Sequence, residues 1–368
     1  ARPWAQPTKV RSETLRKVAD IYEKNAQELF ALLTREAGKT LPDCIGELRE
    51  AVDFLRYYAA QAEKDSLTAS GIFTCISPWN FPLAIFTGQI AAALAVGNGV
   101  LAKPAESTSM IAHFAINLMY QAGVPKNSLQ IVTGIGADVG LPLCSDPKIS
   151  GVCFTGSTVT ANTINQIIAK KLPAHVPFIA ETGGLNAMIV DSTALLEQAV
   201  SDVISSAFQS AGQRCSALRM LYVQEDIASN FTKMLYGAME SLVVGDPSTI
   251  DCDVGPVIDK DAQNKILDYI ARGRVLFQTS APQIGTYVAP TVLGVDGIGD
   301  LEDEIFGPVL SIIPFETEEE AIAIANDTPY GLLNFIQTQD QEKANRVARK
   351  LRSGMVDING AGLAPDAP

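Results

Sequence analysis

The stretch Gly71–Lys103, GIFTCISPWNFPLAIFTGQIAAALAVGNGVLAK, decides the fold. Its short apolar run Gly71–Ile76 predicts a strand, Leu83–Val96 a helix, and Val100–Lys103 a second strand. Strand, helix and strand in close succession are the βαβ unit of a parallel sheet. The section from Ala84 to Ala102 is the most apolar in the chain. Gly88, Gln89, Gly97, Asn98 and Gly99 interrupt it, which makes it too polar to span a bilayer.

The same rhythm extends outward. A helix is expected near Thr108–Gln121, a strand at Leu129–Val132, a Gly134-Ile135-Gly136 turn, a strand Ile149–Phe154 ending in Thr155-Gly156-Ser157, then a helix and a strand Phe178–Ala180. Parallel sheets place ligands at the carboxyl ends of their strands, so these turns are where a cofactor is expected. Beyond Gly184 the pattern restarts with strand Ala187–Val190, helix Thr193–Gln209 and strand Met220–Val223. Helices follow at Asp226–Met239, Asp261–Ala271, Glu318–Asn326 and Gln341–Leu351, with strands Arg274–Gln278, Tyr287–Leu293, Val309–Pro314, Leu333–Thr338 and Met355–Ile358. The restart predicts two α/β domains, 1–181 and 182–368, with the C-terminal part free to pack back on the first. Upstream, helical spacing of Leu15, Val18, Ile21, Tyr22, Leu29 and Leu32 predicts one helix over Ser12–Leu33, and a second covers Pro42–Lys64.

The composition, 47% hydrophobic and 19% charged over 368 residues, is that of a globular protein. A net charge of -13 with two histidines, His113 and His175, argues against nucleic acid or anionic membrane as partner. Six cysteines without a Cys-x-x-Cys fit a reducing compartment, show no zinc pattern, and with no signal-peptide order suggest the cytoplasm. Ala1 is not preceded by methionine, so further chain is expected beyond both ends.

Cys215, in Phe208–Arg219 (FQSAGQRCSALR), lies between polar neighbours after an amphipathic run. A lone cysteine is more often a small buried hydrophobe, but an exposed one in an electropositive setting is a nucleophile. Ser77-Pro78-Trp79-Asn80-Phe81-Pro82, Phe154-Thr155-Gly156-Ser157, Glu181-Thr182-Gly183-Gly184, Gly212-Gln213-Arg214-Cys215 and Glu304-Ile305-Phe306-Gly307-Pro308-Val309, in this order, resemble the NAD(P)-dependent aldehyde dehydrogenase superfamily. Arg35–Asp43, Cys75–Gln89 and Gly212–Arg219 are most similar to the aldehyde dehydrogenase domain of bifunctional proline utilisation A.

The resemblance implies a Rossmann-type NAD-binding domain followed by an α/β catalytic domain, and oxidation of L-glutamate γ-semialdehyde to glutamate. Homo-oligomers are typical of the family, and a proline dehydrogenase domain, absent from this chain, accompanies it in proline utilisation A. Ala62–Gly71 is short for the family's β-arm, and the region after Gln278 also reads as abbreviated. The Phe-Gly-Gly expected after Pro368 and the oligomerisation strand are missing. Beyond Pro329 the text is that of generic aldehyde dehydrogenases, which keeps a broader aliphatic or semialdehyde dehydrogenase in view, and a catalytically silent scaffold as a reading from another class.

An aldehyde oxidised to an acid needs a nucleophile, an oxyanion donor, a hydride acceptor and a base. Cys215 would be the nucleophile. Asn80 would give the oxyanion an amide donor, or else belong to a proline-flanked turn. Glu181 would be the hydrolytic base, or else a solvated strand end. Gly183 lets backbone approach the nicotinamide, next to Thr182. Lys103 and Glu106 would hold the adenosine ribose, favouring NAD over NADP, or else form a surface pair. Gly156 and Ser157 open a helix suited to the pyrophosphate. By resemblance Ser77, Pro78, Trp79 and Phe154 line the cofactor, Gly136 lies near the adenine, and Glu304 and Phe306 meet the nicotinamide ribose and ring. Glu304 otherwise joins Glu302 and Asp303 as a surface acid. Ser216 and Phe81 would face the substrate, Ser216 by a hydrogen bond to its carboxylate or else simply as a loop serine. No metal is expected.

Overall fold

The computed structural model describes residues 1–295 and 304–362. Glu302, Asp303 and Pro368 lie outside them. The chain divides into two compact units, Ala1–Thr182 and the chain from Gly183 onward.

The first unit is built on β1 (Ile72–Ile76), β2 (Gly99–Lys103), β3 (Leu129–Ile131), β4 (Ile149–Thr155) and β5 (Phe178–Glu181). They lie in the order β3-β2-β1-β4-β5, every pair parallel. The chain winds outward from β1 to β3 and then returns to the other side of β1. A reversal of this kind opens a crevice at the carboxyl ends of the two strands where it occurs, here β1 and β4. Register sets Ile76 beside Lys103 on one side and Phe154 on the other, so the three following loops leave from one edge of the sheet.

Alternation along the strands feeds two cores. Cys75, Val100 and Leu129 pack with Leu15, Tyr22, Leu55, Phe86 and Ile90 of the helical layer. Ile76, Val152 and Phe154 pack with Ile164 and Ile168 of the helix Thr158–Lys171. Sheets covered on both faces produce the near-continuous apolar strands seen in the sequence.

One expected helix is two. Thr8–Lys24 and Ala26–Ala37 are separated at Asn25, whose backbone leaves the helical region (φ -107°, ψ 25°) and whose Nδ2 donates to Ile21 O at 2.7 Å. An asparagine that competes for a helical carbonyl ends the helix even where apolar periodicity continues. The next helix, Leu41–Lys64, opens on a capping box between Thr40 and Asp43. From its end the segment 65–71 reaches β1 without forming a strand, its last two N–H groups (Ser70, Gly71) donating to Asn98 Oδ1 at 2.7 and 3.0 Å. The abbreviated Ala62–Gly71 segment therefore carries no arm.

The second unit holds β6 (Asn186–Val190), β7 (Leu218–Gln224), β8 (Arg274–Gln278), β9 (Thr291–Gly294), β10 (Val309–Phe315), β11 (Leu333–Gln337) and β12 (Met355–Ile358). Their order is β12-β11-β6-β7-β10-β9-β8, with only β8 antiparallel to its neighbour. The strand expected over Tyr287–Leu293 is confined to Thr291–Gly294, because Pro290 has no N–H for a ladder and Tyr287 O accepts from Gln263 Nε2 at 2.7 Å. The helix expected from Thr193 starts at Leu196, since Thr193 N–H and Oγ1 both bond Asp191 Oδ2 in a preceding turn. The C-terminal strands β11 and β12 complete this second sheet instead of joining the first. No helix among the described residues is long and apolar enough to cross a membrane.

Candidate active site

In the second unit the helix Leu196–Phe208 gives way to Ser210, Ala211 and Gly212, all three with positive φ (54°, 53° and 65°). Left-handed backbone in consecutive residues costs free energy at the non-glycine positions and persists only where contacts over-determine it. Those contacts are present. Gln213 N–H bonds Ser210 O at 3.0 Å, Gln213 Oε1 accepts from Ile258 N at 2.8 Å, and Arg214 Nη2 donates to Ser206 O at 2.8 Å. A Cβ on Gly212 would lie 2.2 Å from Gly307 O, so only glycine fits. Cys215 follows, half-buried, with Ser216 half-buried beside it. Asn186, at the start of β6, donates through Nδ2 to Cys215 O (2.7 Å) and Ala217 O (2.8 Å), and its Oδ1 accepts from Leu333 N. The cysteine loop is thus tied to two strands.

Sequence reasoning passed over Arg219. It is buried in β7, donates to Arg214 O and Gly307 O at 3.0 Å each, and pairs with Glu304 at 3.6 Å. Its guanidinium carbon also lies 5.5 Å from the centre of the Phe306 ring. One side chain therefore holds the cysteine loop and the Glu304–Phe306 segment together. Burial lowers the Arg219 pKa, and the Glu304 and Cys215 charges oppose that shift. The attraction is mutual, so the cation favours a thiolate at Cys215. Burial likewise raises the Glu304 carboxyl, against the Arg219 charge and the Gly184 N–H. Gly183 makes room for that carboxylate, since a Cβ there would lie 1.7 Å from Glu304 Oε2. Glu304 is no surface acid.

In the first unit the expected cofactor residues gather at the carboxyl edge. Ser77 N–H bonds Lys103 O at 3.1 Å, and Ser77 Oγ is buried without a partner among the described residues. Pro78 and Asn80 are buried, Trp79 and Phe81 half-buried, and Lys39 Nζ sits 4.6 Å from the centre of the Phe81 ring. Lys103, buried, meets the half-exposed Glu106 carboxylate at 3.1 Å. Burial pushes the Glu106 carboxyl up, but hydrogen bonds from its own N–H, Lys103 and the Gly136 N–H outweigh it and leave the pKa low. Gly136 thus belongs with Glu106, at the start of a π-helical turn, Gly136–Gly140. On the other side Gly156 N–H bonds Glu181 O at 3.1 Å, Ser157 caps the helix Thr158–Lys171 through Thr160 N–H, and Glu181 and Ser157 are exposed.

Two further residues went unread. Gln89 Nε2 bridges Ile76 O (3.3 Å) and Thr155 Oγ1 (3.0 Å) across β1 and β4. Glu47, buried and 3.5 Å from Lys39, accepts from Leu83 N and Ala84 N at 3.3 and 2.8 Å, and so caps the helix that follows the Asn80 loop. No His, Cys, Asp and Glu group suited to a metal occurs among the described residues.

A doubly wound parallel sheet with polar loops at its carboxyl edge, and a second sheet carrying a braced cysteine loop, define a two-unit α/β protein. The chain belongs to the aldehyde dehydrogenase family, whose model matches residues 1–367. It is 46% identical over 97% of its length to the bifunctional protein PutA of Salmonella typhimurium, of which it covers 29%. A 1-pyrroline-5-carboxylate dehydrogenase of Geobacillus is 33% identical over 97% of this chain and 75% of that protein. A crystal structure of bifunctional proline utilization A superposes with a TM-score of 0.94 at 43% identity, over 98% of this chain and 39% of that one. The chain thus spans under a third of the curated PutA relatives.

Proposed function

We propose that this chain oxidises an aldehyde to a carboxylate with NAD, through covalent intermediates on Cys215, and that the aldehyde is L-glutamate γ-semialdehyde. The observation that carries the reading is the braced Cys215 loop, joined through Arg219 to Glu304 and Phe306.

The residues fit the dinucleotide. The unpartnered Ser77 hydroxyl and the Gly156 and Ser157 turn at a helix start offer polar groups for phosphate and ribose, and the Lys103–Glu106 pair offers a carboxylate for a 2'-hydroxyl that would repel a 2'-phosphate. Trp79, Phe154, Thr182, Gly183, Glu304 and Phe306 complete the set. When bound, NAD supplies a hydride acceptor.

Cys215 Sγ attacks the aldehyde carbon, and the carbonyl π pair moves to oxygen, giving a thiohemiacetal. Asn80 Nδ2 and the Cys215 N–H donate to that oxygen. Loss of hydride from the carbon re-forms the carbonyl as a thioester. Glu181 takes a proton from water, whose oxygen adds to the thioester, and the thiolate leaves. Ser216 and Phe81 address the rest of the substrate. The same reading makes the chain the aldehyde dehydrogenase part of a longer cytoplasmic protein that also carries proline dehydrogenase.

Cys215→Ala should abolish NADH formation from glutamate semialdehyde while NAD still binds by calorimetry. A variant that keeps its rate removes Cys215 from the mechanism. Equal kcat/KM for glutamate semialdehyde and propanal would move the substrate to the broader class.

A further inference from the structure

Cys75 and Cys153 are 78 residues apart in the sequence and directly paired in the first sheet, on the two strands at which the winding reverses. Paired strands run about 4.8 Å apart, inside the roughly 4.4–6.8 Å Cα spacing that a disulfide spans. Both side chains lie on the same face of the sheet, packed against one core. Their exposures differ. Cys75 is fully buried, its sulfur 3.7 Å from Gln89 O, whereas Cys153 is half-buried and close to Tyr58.

We propose that Cys75 and Cys153 form a dithiol site that a hydroperoxide oxidises to a disulfide bridging β1 and β4. The asymmetry of the pair assigns the roles. Cys153, the more exposed of the two, meets the peroxide, while Cys75 is buried and its S–H donates to Gln89 O, which keeps it a thiol until its partner is oxidised. The Cys153 thiolate attacks one peroxide oxygen, the O–O bond breaks, and Cys153 becomes a sulfenic acid as hydroxide leaves. Cys75 sulfur then attacks Cys153 sulfur, the S–O bond breaks, and the thiol proton departs with the hydroxyl as water. Two thiols and one hydrogen peroxide give one disulfide and two waters. The bond would form one residue before Ile76 and Phe154, after which the carboxyl-edge loops begin. Its chemistry is independent of Cys215.

The test uses the full chain carrying Cys215→Ala, treated with hydrogen peroxide, denatured and titrated with a thiol reagent. The five remaining cysteines should give three reactive thiols, restored to five by dithiothreitol. Trypsin should release the peptides 65–126 and 149–170 joined by a reducible bond. Adding Cys75→Ser should leave Cys153 as a sulfenic acid trapped by dimedone, and adding Cys153→Ser should slow oxidation of Cys75 by about tenfold or more. Five thiols after peroxide, or Cys75 oxidised equally fast without Cys153, would overturn the proposal.

Discussion

Replacing Arg219 tests whether the cysteine loop and the Glu304 segment are one unit. Arg219→Met keeps most of the side-chain volume but removes the donors to Gly307 O and Arg214 O and leaves the Glu304 carboxylate, 14% exposed, without its cation. Breaking a buried charged pair by deleting one partner costs about 3–5 kcal/mol, because the other charge stays buried. Glu304→Gln retains an acceptor for the Gly184 N–H but strands the Arg219 cation, whose side chain is 4% exposed, and should likewise cost about 3 kcal/mol or more. In the double variant no charge is stranded, so its cost should fall below the sum of the single costs by about 1–3 kcal/mol. Two units make a global melting curve a poor probe. Cys252, 3% exposed in the second unit, is a local one, since pulse labelling in urea modifies it only when that unit opens. Single costs that add to within about 0.5 kcal/mol would show the two residues acting independently and refute the reasoning. In the folded protein, Arg219→Met should also slow alkylation of Cys215 by iodoacetamide near neutral pH, an effect that packing loss at a distance would not produce.

Gly212→Ala should destabilise the second unit by about 3 kcal/mol or more, since its Cβ meets backbone at 2.2 Å and its φ is +65°; Gly46→Ala, with nothing within 4 Å in a helix, should stabilise the first unit by about 0.5–1 kcal/mol. Urea midpoints check both, and a neutral Gly212→Ala would contradict the close approach to Gly307. Burial and the nearby Glu47 charge push the Glu50 carboxyl up to about 7. Its folded value exceeds the unfolded one, so the stability it contributes is present below about pH 4 and is lost as pH rises towards 7. Glu50→Gln should therefore stabilise the protein by about 1–2 kcal/mol at pH 8, a figure reduced for its partial exposure, and little at pH 4; an equal gain at both pH values would exclude titration as the cause. Glu106→Gln should bring the NAD and NADP dissociation constants closer by about tenfold, and an unchanged ratio would remove Glu106 from the ribose site.

What could be read along the chain and what could not differ in physical origin. The central strands of the two sheets, Ile72–Ile76, Gly99–Lys103 and Leu218–Gln224 among them, are largely buried on both faces and appear as short apolar runs, and Gly71–Lys103 alone implied the parallel architecture. The break at Asn25 did not appear, because the apolar spacing continues through it and only the side-chain bond to Ile21 O stops the helix. Cys215, Asn80 and the Glu304 segment stand out as candidates because short motifs mark them. The residues that brace them act across long separations: Arg219 reaches Gly307 O 88 residues away, and Asn186 reaches Cys215 O 29 residues away. The Cys75 and Cys153 pair exists only once the winding reversal places β4 beside β1. Strand order is a property of the fold, and no local pattern encodes it. Arg219 nevertheless left a trace, a lone charge in the apolar run Leu218–Val223, four residues after the candidate nucleophile. A strand buried on both faces cannot carry an unpaired cation, since desolvating it costs more than packing returns. Such a charge demands a carboxylate from elsewhere in the fold, and Glu304 of the motif that follows is the one that answers it.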